Sequence, residues 1–169
     1  MPELILLRHA KSDWDAAYET DRGRTLAPRG EKAAAVMGRA LTLTGKVPDL
    51  VISSPATRAL STARLAARAG EWHVPIDTDD RLYPGSPDAV THAAAAAAAA
   101  GPERLMLVGH EPAWSGTISL LVGGAAVHMV TAAAACLEVP SFTALAPGRA
   151  KLLWMLTPRL FTDGDFHLG

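Results

Sequence analysis

A chain of 169 residues is long enough to bury a real core and fits a single domain spanning 1–169. Hydrophobic residues make up 49% and charged residues 20%, which excludes a disordered chain. A formal net charge of -1 gives no electrostatic reason to expect a nucleic acid or an acidic membrane surface as partner.

Residues 4–7, Leu-Ile-Leu-Leu, form a continuous apolar run of the kind found in strands buried on both faces. The run is too short for a secretory h-region and is cut off by Arg8 and His9, so no signal peptide is expected. A polar, irregular stretch covers 8–28. Helical spacing follows over 31–43, with Val36, Met37, Ala40 and Leu41 on one side. Residues 49–53 repeat the buried-strand pattern. Ser54-Pro55 then reads as an N-cap with proline at the first helical position, opening a helix that runs to about Arg68. A short extended piece is expected near 75–78, before the turn-rich Tyr83-Pro84-Gly85-Ser86-Pro87. The alanine run 93–100 is too short to span a bilayer and ends at Gly101-Pro102, a helix stop, so it predicts a surface-packed helix. Residues 104–108 predict the third buried strand, ending at Gly109-His110, and 114–122 a further helix. Two late strands, 135–139 and 151–156, flank the turn at Pro147-Gly148.

Strands alternating with helices imply an α/β fold, a three-layer α/β/α sandwich around a mostly parallel sheet. No repeat or Gly/Ser linker divides the chain; the core is expected within 3–156 and disorder over the tail 162–169. The single cysteine, Cys136, excludes an internal disulfide framework and fits a reducing, cytoplasmic compartment. Its apolar neighbours predict a buried, inert thiol.

In an open α/β sheet, ligands bind beyond the carboxyl ends of the strands. Three strands deliver polar residues there: Arg8-His9 from the first, Ser53-Ser54-Pro55 with Arg58 one turn later from the second, and Gly109-His110-Glu111 from the third. A lone histidine after a strand is more often structural than catalytic, but three such coincidences together point to one site. Arg58 near a helix N-terminus faces the positive end of the dipole, a penalty that a bound anion turns into a gain. Neutral imidazole is a competent nucleophile, and the guanidinium fork matches phosphate oxygens. Arg8, His9, Arg58 and His110, the last a third donor if protonated, therefore suit phosphoryl transfer by positioning and electrostatics. No H-E-x-x-H spacing is present, and two flanking arginines repel a divalent cation, so neither metal nor other cofactor is expected.

These residues carry a family resemblance. Leu7-Arg8-His9-Ala10-Lys11-Ser12 resembles the R-H-G signature of the histidine phosphatase (phosphoglycerate mutase-like) superfamily, with alanine for glycine. Ser53-Ser54-Pro55-Ala56-Thr57-Arg58-Ala59 resembles its S-P-x-x-R-A segment, and Val108-Gly109-His110 its late G-H motif. The length, the opening Arg8 to Trp14 and the segment 21–30 look most like the SixA branch, associated with protein phosphohistidine phosphatase activity. The resemblance implies a phosphoglycerate mutase-like fold, His9 as nucleophile, Arg8 and Arg58 as phosphate ligands, and His110 as the second histidine of the pocket. It also brings Ser12 to the position of the family's serine, while Asp21, Gly109 and Glu111 are further candidates for phosphate or substrate contact.

Two departures bear on substrate. Leu82-Tyr83-Pro84-Gly85 lacks the general-acid glutamate of many superfamily enzymes, and Asp15 stands where mutases carry an asparagine. Asp21 and Glu111 are the carboxylates left to act as an acid. Without one, the site favours a phosphoramidate, whose imidazole leaves readily, over an ester, whose alkoxide needs a proton. Little room exists between Arg58 and His110 for an inserted lid, so an uncovered site open to a protein side chain is expected. A roof formed by residues 13–28 would defeat that expectation. The expected partner is a phosphohistidine protein, with a small phosphate ester, or a phospho-binding module without turnover, as alternatives. Trp14 and Tyr18 are expected to pack under the loop after the nucleophile, with a recognition surface for a partner as the alternative, and His73, His92, His128 and His167 carry no assigned role.

Overall fold

A computed structural model describes residues 1–162. Six strands form one sheet: β1 (Glu3–Arg8), β2 (Leu50–Ser53), β3 (Ile76–Thr78), β4 (Arg104–Gly109), β5 (Ala134–Glu138) and β6 (Lys151–Leu156), in spatial order β3-β2-β4-β1-β5-β6. The pairs β1/β4, β2/β4 and β2/β3 are parallel, whereas β5 pairs antiparallel with β1 and with β6. The sheet is therefore mixed and mostly parallel, as the alternating pattern predicts.

Period-two alternation sorts the buried strands onto two cores. Leu4, Leu6, Leu105 and Leu107 face one way, into a layer that holds α3 (Pro87–Ala97) and α4 (Ala113–Val122). Ile5, Leu7, Met106 and Val108 face the other way, onto α1 (Pro28–Leu43) and α2 (Thr57–Ala69). A strand covered on both faces has no polar side, which is why 4–7 reads as an unbroken apolar run. A Cβ on Gly38 of α1 would overlap the Ala66 backbone, so glycine there sets how closely α1 and α2 cross. Cys136 is fully buried on β5, and desolvation pushes its thiol up to about 12, the inert state expected of it.

Boundaries moved where capping was read from sequence alone. Helix α1 begins at Pro28, three residues before the periodic stretch, because proline needs no N–H partner at the first helical position. Helix α2 begins only at Thr57: Ala56 occupies the cap position, and Ser54 is not the N-cap. Helix α3 starts at Pro87, where the Ser86 hydroxyl accepts the Ala89 N–H at 3.0 Å, well before the alanine run. Its end tightens into a 3-10 turn, Ala98–Ala100, closed by Gly101 at φ 71°. The tail expected to be disordered lies outside the described residues except Thr162, which closes a short helix α5 (Arg159–Thr162). Among the described residues no helix is long and apolar enough to cross a membrane.

Candidate active site

Parallel register brings the three strand ends to one edge. Arg8 of β1 lies beside Gly109 of β4, and Ser53 of β2 beside Val108. The ladder runs one residue further: the His9 N–H donates to the Gly109 carbonyl at 2.9 Å and the Ser54 N–H to the Val108 carbonyl at 2.8 Å. His9 and His110 therefore meet with ring centroids 5.1 Å apart and planes tilted by 55°.

The His9 ring is held by its own neighbour. Its Nδ1 lies 2.7 Å from the Ala10 carbonyl oxygen, which only accepts, so the proton sits on Nδ1 and the Nε2 lone pair is free. Thr62 of α2 fixes that peptide: its hydroxyl oxygen accepts the Ala10 N–H at 3.0 Å while its proton goes to the Arg58 carbonyl at 2.7 Å. Burial depresses the His9 imidazole to about 4; the Ala10 carbonyl opposes the shift, and the cations of Arg58, Arg8 and Arg24 add to it. At neutral pH the ring is uncharged and nucleophilic.

His110 is tied to the second strand end. Its Nε2 is 2.7 Å from Ser54 Oγ, which also accepts the Ala56 N–H at 3.2 Å. In the tautomer in which the Ser54 hydroxyl donates to Nε2, the ring proton sits on Nδ1, which is buried with no partner among the described residues. Burial, then the neighbouring His9, Arg58 and Arg8, lower this imidazole to about 3. The condition for a charged third donor, a protonated ring, is not met in the free site, where the ring is neutral and its unpartnered Nδ1 is the atom turned to an anion.

Three guanidinium groups surround the histidines, one more than the motifs supplied. Arg58, the second residue of α2, donates Nη1 to the Asp21 carbonyl at 2.8 Å and Nη2 to the Asp21 carboxylate at 3.1 Å. Arg8 donates Nη1 to the Met129 carbonyl at 2.7 Å. Arg24, 4% exposed, donates to the Ser12 hydroxyl and, at 2.9 Å, to Asp21, with its guanidinium carbon 3.5 Å above the Trp14 ring. Nε of each arginine is buried without a partner among the described residues. Unpaired buried donors carry a desolvation cost that an anion removes. All three line a cleft of about 230 Å³ together with His9, His110 and Ser12.

Several expectations change at this point. Asp21 does not act as an acid: the bonds from Arg24 and Tyr83 lead in holding its carboxyl down at about 2, so it stays ionised and aligns two guanidiniums. Glu111 lines the cleft, but both its oxygens are engaged, accepting the Ser115 N–H at 2.8 Å and the Ser115 hydroxyl at 2.6 Å, at the start of α4. Gly109 is not among the residues lining the cleft; a Cβ there would overlap the Trp114 ring, and its carbonyl holds the His9 backbone. Ser12 lines the cleft and anchors Arg24. Trp14 and Tyr18 are 60% and 40% exposed rather than packed away. The segment after Ser12 forms one wall of the cleft through Trp14 and Arg24, and His9 is only 8% exposed. Sequence reasoning gave Arg24 no role, and missed that Ser54 and Thr62 orient the two imidazoles.

An anion pocket of three arginines around a neutral imidazole, on a mostly parallel sheet, defines a phosphoryl-handling protein with a histidine at its centre. Residues 4–86 match the histidine phosphatase superfamily (branch 1), and the chain belongs to that superfamily. Its fold is similar to that of the protein named phosphohistidine phosphatase SixA in Agrobacterium tumefaciens, with a TM-score of 0.77 at 28% identity over 94% of this chain and 99% of that one. An uncharacterized chloroplastic protein of Arabidopsis thaliana is 28% identical over 92% of this chain and 77% of its own length. The 2,3-bisphosphoglycerate-dependent phosphoglycerate mutase of Corynebacterium diphtheriae is 36% identical, but the match spans 47% of this chain and only 34% of the mutase.

Proposed function

We propose that this chain hydrolyses protein phosphohistidine in the cytoplasm through a phosphoryl intermediate on His9. In the first half-reaction the Nε2 lone pair forms a bond to phosphorus as the phosphorus–nitrogen bond of the substrate breaks. The substrate ring leaves as neutral imidazole when its other nitrogen carries a proton. His9 keeps its Nδ1 proton, and the Ala10 carbonyl at 2.7 Å faces the positive charge that develops on the ring. Arg8, Arg24, Arg58 and the His110 Nδ1–H surround the space for the phosphoryl oxygens and offset their charge. In the second half-reaction water attacks phosphorus, the bond to Nε2 breaks, orthophosphate departs with both water protons, and His9 returns neutral.

One observation carries the choice of substrate. Asp21 and Glu111, the carboxylates assigned to the site, have both oxygens engaged, Asp21 by Arg24, Arg58 and Tyr83, and Glu111 by Ser115. An alkoxide leaving group needs a proton that neither is placed to give, whereas an imidazole already protonated on its other nitrogen departs without one from the enzyme. Similarity to a SixA protein supports the same reading. Phosphate release from a phosphohistidine protein and from an alkyl phosphate ester such as phosphoserine, with His9→Ala as control, tests it. Faster turnover of the phosphohistidine protein is expected, and preference for the ester overturns the substrate assignment. Absence of both activities leaves a phospho-binding module instead of an enzyme.

A further inference from the structure

A second, larger cleft opens beside the phosphoryl pocket. It has a volume of about 750 Å³ and shares Arg8, Lys11 and Thr131 with the smaller one. Arg29 at the start of α1 and His128 extend the lining, as does Arg159, and no described residue that lines it is a carboxylate. The cations of Lys46, Arg81, Arg104 and Lys151 are each paired with an acid. Lys11 and Arg29, like Lys32, Arg39, Arg64, Arg68 and Arg149, make no such pair among the described residues, and these two line the cleft that shares residues with the phosphoryl pocket. Unpaired cations gathered in a concavity raise the local concentration of anions and favour a second negative group on whatever occupies the neighbouring pocket.

The size and lining indicate what carries that group. The cleft has about three times the volume of the phosphoryl pocket, more than the carboxylate of a small ester fills, and Ala33, Val130 and Pro158 interleave with the cations. Apolar and basic side chains side by side suit a polypeptide segment that lays down apolar contacts and an acidic side chain together. We propose that this cleft seats the substrate polypeptide next to its phosphohistidine, with an aspartate or glutamate of that segment against Lys11 and Arg29. The proposal rests on the phosphohistidine reading above and adds a sequence preference to it.

The test uses the full chain and phosphohistidine peptides that differ only in flanking the modified residue with Glu, Gln or Lys. The Glu peptide is expected to have about three- to tenfold higher kcat/KM than the Gln peptide, mostly through KM, with the difference fading at high salt. Arg29→Glu is expected to reverse the order, favouring the Lys peptide; because two peptides are compared on one variant, a change in its folded fraction does not affect the result. Equal turnover of all three peptides overturns the cleft assignment and leaves the phosphohistidine reading intact. Failure to cleave any peptide while p-nitrophenyl phosphate is cleaved removes that reading, and the cleft assignment with it. If phosphoglycerate is preferred over glycerol phosphate while the peptides are not discriminated, the cleft serves a small carboxylate and the polypeptide assignment is wrong.

Discussion

Lowering the pH from 7 to 5 in the absence of phosphate should destabilise this protein through two side chains. His9 and His110, 8% and 5% exposed, are held at about 4 and about 3 against an ordinary imidazole value of 6.5. Between these limits the unfolded chain binds protons that the native state refuses, so stability falls as pH drops below 6.5 and levels off only below the folded values. At pH 5 the unfolded chain is 1.5 units below its imidazole pKa, which corresponds to about 2 kcal/mol for each ring and about 4 kcal/mol for the pair. That is a large share of the roughly 5–15 kcal/mol typical of a domain. Carboxylates held low act in another window: Asp21, ordinarily 3.8 and held at about 2, contributes stability above pH 4 and loses it only on further acidification. Urea unfolding at pH 7 and pH 5 reads the difference as a shift in midpoint at constant slope. The His9→Gln and His110→Gln variants should each lose about half of the pH dependence, and the double variant nearly all of it. An unchanged pH dependence in the double variant would refute the assignment of these rings as buried and neutral.

Arg24→Ala should lower kcat/KM by about tenfold or more by removing a charged hydrogen-bond donor from the pocket, while Arg24→Lys recovers only part because it lacks the fork. Steady-state kinetics with orthophosphate inhibition check this, and weaker inhibition is expected in step with the lost turnover. Thr62→Val leaves the Ala10 N–H unpaired and should cost about 1–3 kcal/mol of stability together with a fall in kcat, with Thr62→Ser restoring both. Gly109→Ala drives a methyl into the Trp114 ring and should destabilise by about 1–3 kcal/mol, measured by thermal unfolding.

The sequence was most legible where local pattern and tertiary role coincide. Residues 4–7 and 104–108 are apolar throughout because both faces of the sheet are covered, and the residues that follow them reach the site by register alone. Arg8, His9, Arg58 and His110 were therefore found by position. Arg24 stood only within the segment 21–30 that carries the resemblance and was given no role, because it sits in an irregular stretch with no period and its place is set by Ser12, Asp21 and Trp14, contacts that exist only after folding. Ser54 was misread for a related reason. Ser-Pro is a good local helix start, but its hydroxyl is engaged by His110, fixed by the neighbouring strand β4, and the helix begins later. Trp14 was expected under the loop and instead stays exposed with its ring against the buried Arg24 guanidinium, since a cation on its face satisfies the ring without burial.

The central claim is that phosphorus becomes bonded to Nε2 of residue nine during turnover. Rapid mixing with a radiolabelled phosphohistidine protein, quenched in alkali and followed by peptide mapping, measures this directly. The account predicts acid-labile, alkali-stable label on the peptide containing His9, rising and decaying within a turnover and absent from His9→Ala. Label on any other residue, or phosphate release with full activity and no labelled enzyme, would contradict it.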